Sequence, residues 1–359
     1  MAPAPGRSGD VRRERNETGV STADRYRAAG VDLDAAERAK HRIAEAVAST
    51  RTQLARGMVG AFGGMLRLPT DIERPTLVMS TDGVGTKVLV AIRTGRHDTV
   101  GEDLVNHSVN DILVHGARPL AFLDYIAHAD APADTLAALV DGVARGCRVH
   151  GMTLVGGETA QLPDLYHSGH YDLAGTIVGV VGEDEALHGD RVAVGDLLVG
   201  YASSGLHTNG YTLARRILFD EMGLDVNDDV PALGTPVADV LLAVHRSYRS
   251  AIEPVLSAVH ALAHITGGGI PGNLARSLPL NRAARVDRST WPVPALFGVL
   301  QDAGQVSQDE MYRVFNMGLG MIAVVPPDAV AGVRRAADGA GVETWEIGTV
   351  VQGDGVQLV

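Results

Sequence analysis

Apolar residues recur along this chain in two rhythms: short Val/Leu/Ile runs of strand length, and Ala-rich stretches with apolar positions three and four apart. Leu77-Val78-Met79 reads as a strand, followed by a helix from about Val100 to His115, a strand from Leu120 to Ala127 and a helix from near Pro132 to Gly151. Strands near Met152–Val155 and Asp172–Val181 complete a first unit. After a polar, turn-rich segment from Gly182 to Gly195, Asp196–Ala202 reads as a strand, Asn209–Met222 and Val237–Leu262 as helices, and Gly318–Val325 and Thr344–Val351 as late strands. Upstream, Asp34 with Glu37 resembles a capping box opening a helix that runs through Ile43, Val47 and Leu54 and stops near Gly57. Gly57–Gly64 is either a flexible lid or a plain linker. Residues 1–21, rich in Pro, Gly, Arg and Glu without periodicity, predict a disordered tail. The pattern as a whole predicts an α/β (α+β) protein of two domains, 22–185 and 190–359, each long enough to bury its own core.

Composition narrows the class. No apolar run reaches the roughly 18 to 20 residues a bilayer requires, and the Arg-containing N-terminus lacks the apolar stretch of a signal peptide. The expectation is a cytoplasmic protein with no membrane partner. The formal net charge of −12 and the lack of a basic patch interleaved with aromatics argue against nucleic acid. One cysteine, Cys147, excludes an internal disulfide and leaves no CxxC pair for a metal. An anionic nucleotide bound by such an acidic chain must be held locally, by glycine-loop amides, a divalent cation on carboxylates and a few placed cations.

Candidate chemistry begins at Ser80-Thr81-Asp82-Gly83-Val84-Gly85-Thr86-Lys87, directly behind the first strand. The chain has 29 Arg and only two Lys, Lys40 and Lys87, so Lys87 stands where a guanidinium would not serve. A compact ammonium suits close approach to a phosphoryl group, whereas a planar fork demands another geometry. The alternative is a turn with a solvated lysine. On the helix 100–115, Asp103, His107, Asn110 and Asp111 share one face, either a solvated stripe or a functional one. If functional, Asp82 and Asp111 share a Mg²⁺ ion, which prefers oxygen ligands.

Val155-Gly156-Gly157-Glu158-Thr159-Ala160 places two glycines and a carboxylate where a short strand is expected to end, and Glu158 is a candidate third metal ligand; a surface hairpin is the bland reading. Ser203–Gly210 joins a strand to a helix, so Thr208 and Asn209 either cap that helix or touch substrate, and His207 is a candidate proton carrier. In His264-Ile265-Thr266-Gly267-Gly268-Gly269, successive glycine amides form an anion nest or a tight turn. No GxxxxGK[ST], GxSxG or HExxH occurs, and Gly318-Leu319-Gly320 precedes a strand, which argues against P-loop, serine-hydrolase, zincin and dinucleotide chemistry.

In order, these segments resemble the aminoimidazole ribonucleotide synthetase (phosphoribosylformylglycinamidine cyclo-ligase) family. The resemblance runs from Tyr26–Asp32 through Asp82–Lys87, Val109-Asn110-Asp111, Phe122–Tyr125, Gly156–Ala160, Gly205–Tyr211 and His264–Gly269 to Trp291, Phe297, Met311–Gly318 and Ile347-Gly348. It implies a ligase of purine biosynthesis that uses ATP to close formylglycinamidine ribonucleotide into aminoimidazole ribonucleotide. It also implies a homodimer in which N-terminal sheets pair across the interface, with an α/β domain at the C-terminus. ATP phosphates would meet Asp82, Gly83, Gly85, Thr86, Lys87, Asn110, Asp111, Gly156, Gly157, Thr266, Gly267, Gly268 and Gly269. Mg²⁺ would sit on Asp82, Asp111 and Glu158, substrate on Thr208 and Asn209, and catalysis would fall to Lys87, His207 and His264. Ala35-Ala36-Glu37 and Leu162-Pro163-Asp164 depart from the family pattern. A selenophosphate synthetase would carry a cysteine in Gly57–Gly64, a thiamine-phosphate kinase would lack the HITGGG and FNMGLGM contexts, and a regulator would bind ATP without turnover.

Overall fold

The computed structural model describes residues 42–57 and 61–359; the tail 1–21, the Asp34/Glu37 capping box, Tyr26–Asp32 and part of the expected lid lie outside them. The first unit is a four-stranded sheet of β1 (Pro75–Gly83), β2 (Arg118–His128), β3 (Thr153–Gln161) and β4 (Tyr171–Gly182), in the order β1-β4-β2-β3. β4 runs antiparallel to both β1 and β2, while β2 and β3 are parallel and joined by a helical crossover. Helices α1 (Asp98–Leu113) and α2 (Ala133–Val149) cover one face of this sheet. They pack almost backbone to backbone: a Cβ on Gly142 would stand 2.0 Å from the carbonyl oxygen of Asp98. The opposite face leaves Leu77, Met79 and Tyr125 exposed.

The second unit is a six-stranded mixed sheet of β5 (Leu197–Ala202), β6 (Ala261–His264), β7 (Arg282–Val286), β8 (Leu319–Val325), β9 (Thr344–Gln352) and β10 (Gly355–Leu358), in the order β6-β8-β5-β9-β7-β10. All seven residues of β8 are buried, as expected of a strand covered on both faces. One apolar cluster runs through both units, from Val88, Leu104 and Val109 to Leu198, Leu206 and Ile322, so the halves share a core. The chain is α/β, as its pattern predicts.

Four expectations need correction. The upstream helix ends at residue 49, and Ala55–Arg56 pairs with Met65–Leu66 instead. β1 extends to Gly83, so Asp82 projects from a strand, not from the turn behind one. β3 likewise runs on to Gln161, placing Gly156-Gly157-Glu158 inside the strand. The helix expected over Val237–Leu262 is broken: a turn of helix at Val237–Leu241, irregular backbone from 242 to 248, short helical turns over Arg249–Ile252 and Glu253–Ala258, then β6.

Candidate functional site

β1 and α1 meet so that Asp82 and Asp111 face one cavity of about 560 Å³, whose wall includes Ser80, His264, Thr266 and Arg276. Asp82 is half exposed, with Oδ2 2.8 Å from His107 Nε2 and Oδ1 accepting the Gly83 amide at 2.6 Å. Asp111 accepts from Ser80 Oγ at 3.1 Å and lies 2.8 Å from His264 Nδ1. Burial pushes both carboxyls up, but the imidazoles beside them outweigh it and hold each below its ordinary range. His107 moves the other way: burial disfavours its charge, yet Asp82 and Asp111 raise it overall. Asp82, His107 and Asp111 each offer a ligand atom within 4.8 Å of the others. Two ionised carboxylates opening on a cleft are the oxygen donors Mg²⁺ takes while keeping positions for water and phosphate.

Glu158 does not join them. Strand pairing aligns Asp82 with Gly175, Gly175 with Asp124, and Asp124 with Gly157, so Asp82 and Glu158 stand on opposite edges of the sheet, about 14 Å apart at the usual strand spacing. The two-residue-period alternation also sends Glu158 to the open face, with Tyr125. Gly156 shares that face, whereas Gly157 faces the helix layer and leaves room for the Asp124 side chain; neither lines the cavity.

Lys87 is sealed inside. It is fully buried with its Nζ 2.7 Å from Asp103 Oδ2, and it donates to the Ala243 carbonyl at 2.7 Å. Burial draws the ammonium down and the carboxyl up, and their mutual attraction opposes both shifts. The structure thus places this ammonium on Asp103 and outside the lining of the cavity. The polar stripe of α1 is divided: His107 and Asp111 turn to the Asp82 side, while its other members are spent inside the chain. Asp103 accepts the His245 amide at 2.7 Å, Asn106 donates to the His245 carbonyl at 2.8 Å, and Asn110 donates to the Arg246 carbonyl at 2.8 Å while accepting the Tyr248 amide at 3.0 Å. Both ends of Asn110 are thus occupied by the backbone of the second unit. Asn106, fully engaged in the same way, and its neighbours supply the irregular stretch 242–248 with the hydrogen bonds a helix would have made internally.

That stretch delivers His245 to a nest of imidazoles. His207 stacks on His245 at 3.9 Å between centroids, and His245 Nε2 lies 3.1 Å from His264 Nε2. Burial, then the neighbouring cations, hold His207 and His245 well below the ordinary imidazole value. His207 adopts a left-handed backbone (φ 62°), and Gly320 makes space for it: a Cβ there would stand 2.3 Å from its Cε1 and 2.0 Å from Tyr248 Oη. His264 lines the cavity, whereas His207 lies behind it. Thr208 is buried at 2.7 Å from His107 Nδ1, neither capping a helix nor open to substrate.

The loop Thr266–Gly269 opens α3 (Gly269–Leu274), with Gly267 and Gly268 exposed. Asn273 Nδ2 donates to the carbonyls of Thr266, Gly267 and Gly269, turning the loop amides outward from a fixed frame. Asn209 approaches the same loop, its Oδ1 3.3 Å from where a Cβ on Gly267 would be. Gly85 is exposed and Thr86 half-buried, with Thr86 Oγ1 3.0 Å from Thr212 Oγ1.

Two family models cover most of the chain: AIR synthase related protein, N-terminal domain, over residues 63–181, and AIR synthase related protein, C-terminal domain, over 193–359. A phosphoribosylformylglycinamidine cyclo-ligase of Sorangium cellulosum is 49% identical over 330 residues, spanning 91% of this chain and 95% of its own length. The chain belongs to the phosphoribosylformylglycinamidine cyclo-ligase family. A second member, from Myxococcus xanthus, is 46% identical over 92% of this chain and 96% of its own. Family members share their fold with more distant proteins. Thiamine-monophosphate kinase from Stenotrophomonas maltophilia superposes with a TM-score of 0.62 at 20% identity, covering 90% of this chain and 94% of that one. The hydrogenase maturation protein HypE, solved in complex with ATP, gives 0.58 at 19% identity over 87% and 86%.

Within this cyclo-ligase family chain, sequence reasoning missed His245 as a site residue, Arg276 on the cavity wall, and Asp103 as the partner of Lys87. Arg276 sits about two helical turns beyond the glycine loop and was open to detection there; His245 was hidden inside what reads as an amphipathic helix.

Proposed function

We propose that this chain catalyses ATP-dependent closure of formylglycinamidine ribonucleotide to 5-aminoimidazole ribonucleotide, releasing ADP and phosphate, as a ligase of purine biosynthesis. The observation that carries this is near full-length kinship, 49% identity over 95% of a cyclo-ligase, and the cavity has the matching chemistry. In the first step the formyl oxygen attacks the γ-phosphorus of ATP and ADP departs. A substrate nitrogen then attacks the same carbon, the carbon–oxygen bond breaks, phosphate leaves, and the nitrogen gives up a proton. Positioning and charge neutralisation are what such steps need from a protein.

Asp82 and Asp111 are the residues that would hold Mg²⁺, which when bound offsets phosphate charge. Thr266 and Arg276 on the cavity wall, with the exposed loop residues Gly267 and Gly268 next to Thr266, would meet the phosphates. His107 and His264 fix the two carboxylates from behind and carry away the proton through the Asp82–His107 and Asp111–His264 contacts. A homodimer is supported by the uncovered sheet face with Leu77, Met79 and Tyr125 exposed. The cytoplasm, with its ATP, is the compartment this reaction requires, and among the described residues no helix is long and apolar enough to cross a membrane.

The test is coupled turnover: purified protein with ATP, Mg²⁺ and formylglycinamidine ribonucleotide, following aminoimidazole and ADP together. Equal, substrate-dependent amounts are expected. ATP hydrolysis without imidazole, or ATP binding with neither product, would overturn the assignment.

A further inference from the structure

His107, His245 and His264 form a nearly equilateral triangle. Their ring centroids are 5.2, 5.0 and 5.2 Å apart, and the rings tilt by 67°, 70° and 60° to one another, like three blades about an axis. Each offers a ligating nitrogen within 4.8 Å of the others, and all three residues are buried. A tetrahedral ion with Zn–N bonds of about 2.0–2.1 Å sets neighbouring ligand nitrogens about 3.3 Å apart and imidazole centroids about 5.2 Å apart. The Nε2 atoms of His245 and His264 are 3.1 Å apart.

The outer nitrogens are tied in the manner of metal-bound histidines, whose second N–H is given to an oxygen that fixes ring and tautomer. His264 Nδ1 lies 2.8 Å from Asp111 Oδ1, while Thr208 Oγ1 serves His107 Nδ1 at 2.7 Å and His245 Nδ1 at 3.4 Å. Nε2 of His107, on the ring edge away from Thr208, lies 2.8 Å from Asp82 Oδ2, which supplies an adjacent oxygen and negative charge. Two contacts compete for ligating nitrogens: Asn110 Nδ2, 3.2 Å from His245 Nε2, and the Asp82 carboxylate on His107 Nε2.

We propose that His107, His245 and His264, with Asp82 beside them, bind one divalent transition-metal ion of the zinc or cobalt type at the inner wall of the cleft. Three imidazoles select such ions over Mg²⁺, which takes oxygen ligands. Occupancy immobilises the two imidazoles that back Asp82 and Asp111, so the ion acts as an inhibitor that excess Mg²⁺ does not relieve. That inhibitory consequence rests on the function proposed above; the binding does not.

The deciding experiment is titration of the full chain with Co²⁺ in excess Mg²⁺, read by the visible absorption that distinguishes tetrahedral from octahedral cobalt, with Zn²⁺ stoichiometry from equilibrium dialysis. One tetrahedral ion per chain is expected. His245→Gln, and separately His264→Gln in case the first variant misfolds, should weaken binding by at least the 10- to 100-fold that even outer partners of a metal site command. Replacing the histidines of the exposed pair His167/His170 should leave it unchanged. Octahedral cobalt displaced by Mg²⁺, undiminished affinity in both folded glutamine variants, or loss of binding on removing His167 and His170 would each overturn the proposal. Turnover in Mg²⁺ alone reports on the cyclo-ligase reading independently.

Discussion

The same two segments, β1 with its following turn and helix α1, build two charge centres of opposite character. Asp82 and Asp111 face a cavity and remain partly exposed; Lys87 and Asp103, five residues after the one and eight before the other, are fully buried against each other. In the cleft the carboxylates are left with oxygens unspent on protein cations, and so have something to offer a ligand. In the interior the ion pair and its hydrogen bonds consume every charge. A charged residue near a glycine turn thus declares function only through where its partner lies, and here Lys87 finds its partner within the chain.

Removing half of the buried pair breaks this comparison most forcefully. Asp103→Ala is expected to cost about 3–5 kcal/mol in urea denaturation, because it strands a buried ammonium, whereas a Lys87→Met/Asp103→Leu double variant should recover most of that loss. Asp111→Asn should do the opposite: turnover down by roughly 10²–10³-fold, the scale of losing one preorganised electrostatic group, with stability changed by less than about 1 kcal/mol. If Lys87→Met/Asp103→Leu folds and retains ATP affinity, Lys87 is structural; a selective loss of ATP binding in that folded variant would return it to the phosphate site.

Gly320→Ala probes the packing that holds the imidazoles between the two centres. The new methyl collides with Tyr248 and His207, and a melting experiment should show a loss of about 2–3 kcal/mol accompanied by lower turnover. Asp124 sharpens the contrast as a third kind of carboxylate, buried beneath the helices without a cation. Burial pushes it up to about 6 from 3.8. The folded state therefore binds this proton more tightly than the unfolded chain, so the contribution of Asp124 to stability is lost as pH rises from about 4 through 6. Asp124→Asn should match wild type near pH 4 and exceed it by about 2 kcal/mol at pH 8, measured by urea melts at both values. Equal stabilities at both values would show that Asp124 ionises without penalty.

Much of this architecture is legible from local pattern, because α1, α2, β2 and β4 obey helical or strand periodicity within a few residues of their ends. The pairing of Asp82 with Asp111 in one cleft was legible too, from a strand-end carboxylate and a carboxylate on the next helix. The distance of Glu158 from Asp82 within the chain was not legible, because sheet order, which puts β3 farthest from β1, is not written in any local spacing. The break at 242–248 was hidden for a different reason. Val240, Leu241, Val244, Tyr248 and Ile252 have helical spacing, and what overrides it is a set of side chains more than 130 residues earlier. Burial of the α1 stripe follows from the same contacts: its polar atoms answer a backbone that only the second unit provides.

The clamp of α1 on residues 242–248 also bears on how this molecule can be taken apart. A chain severed between 183 and 195 would leave one fragment with a loop full of unanswered amides and carbonyls, and the other with Asp103, Asn106 and Asn110 stripped of their targets. Neither piece carries a finished pocket, and the two become active together or not at all. Such a pair is a ready-made complementation sensor, silent as fragments and self-reporting once whatever is fused to them brings them into contact.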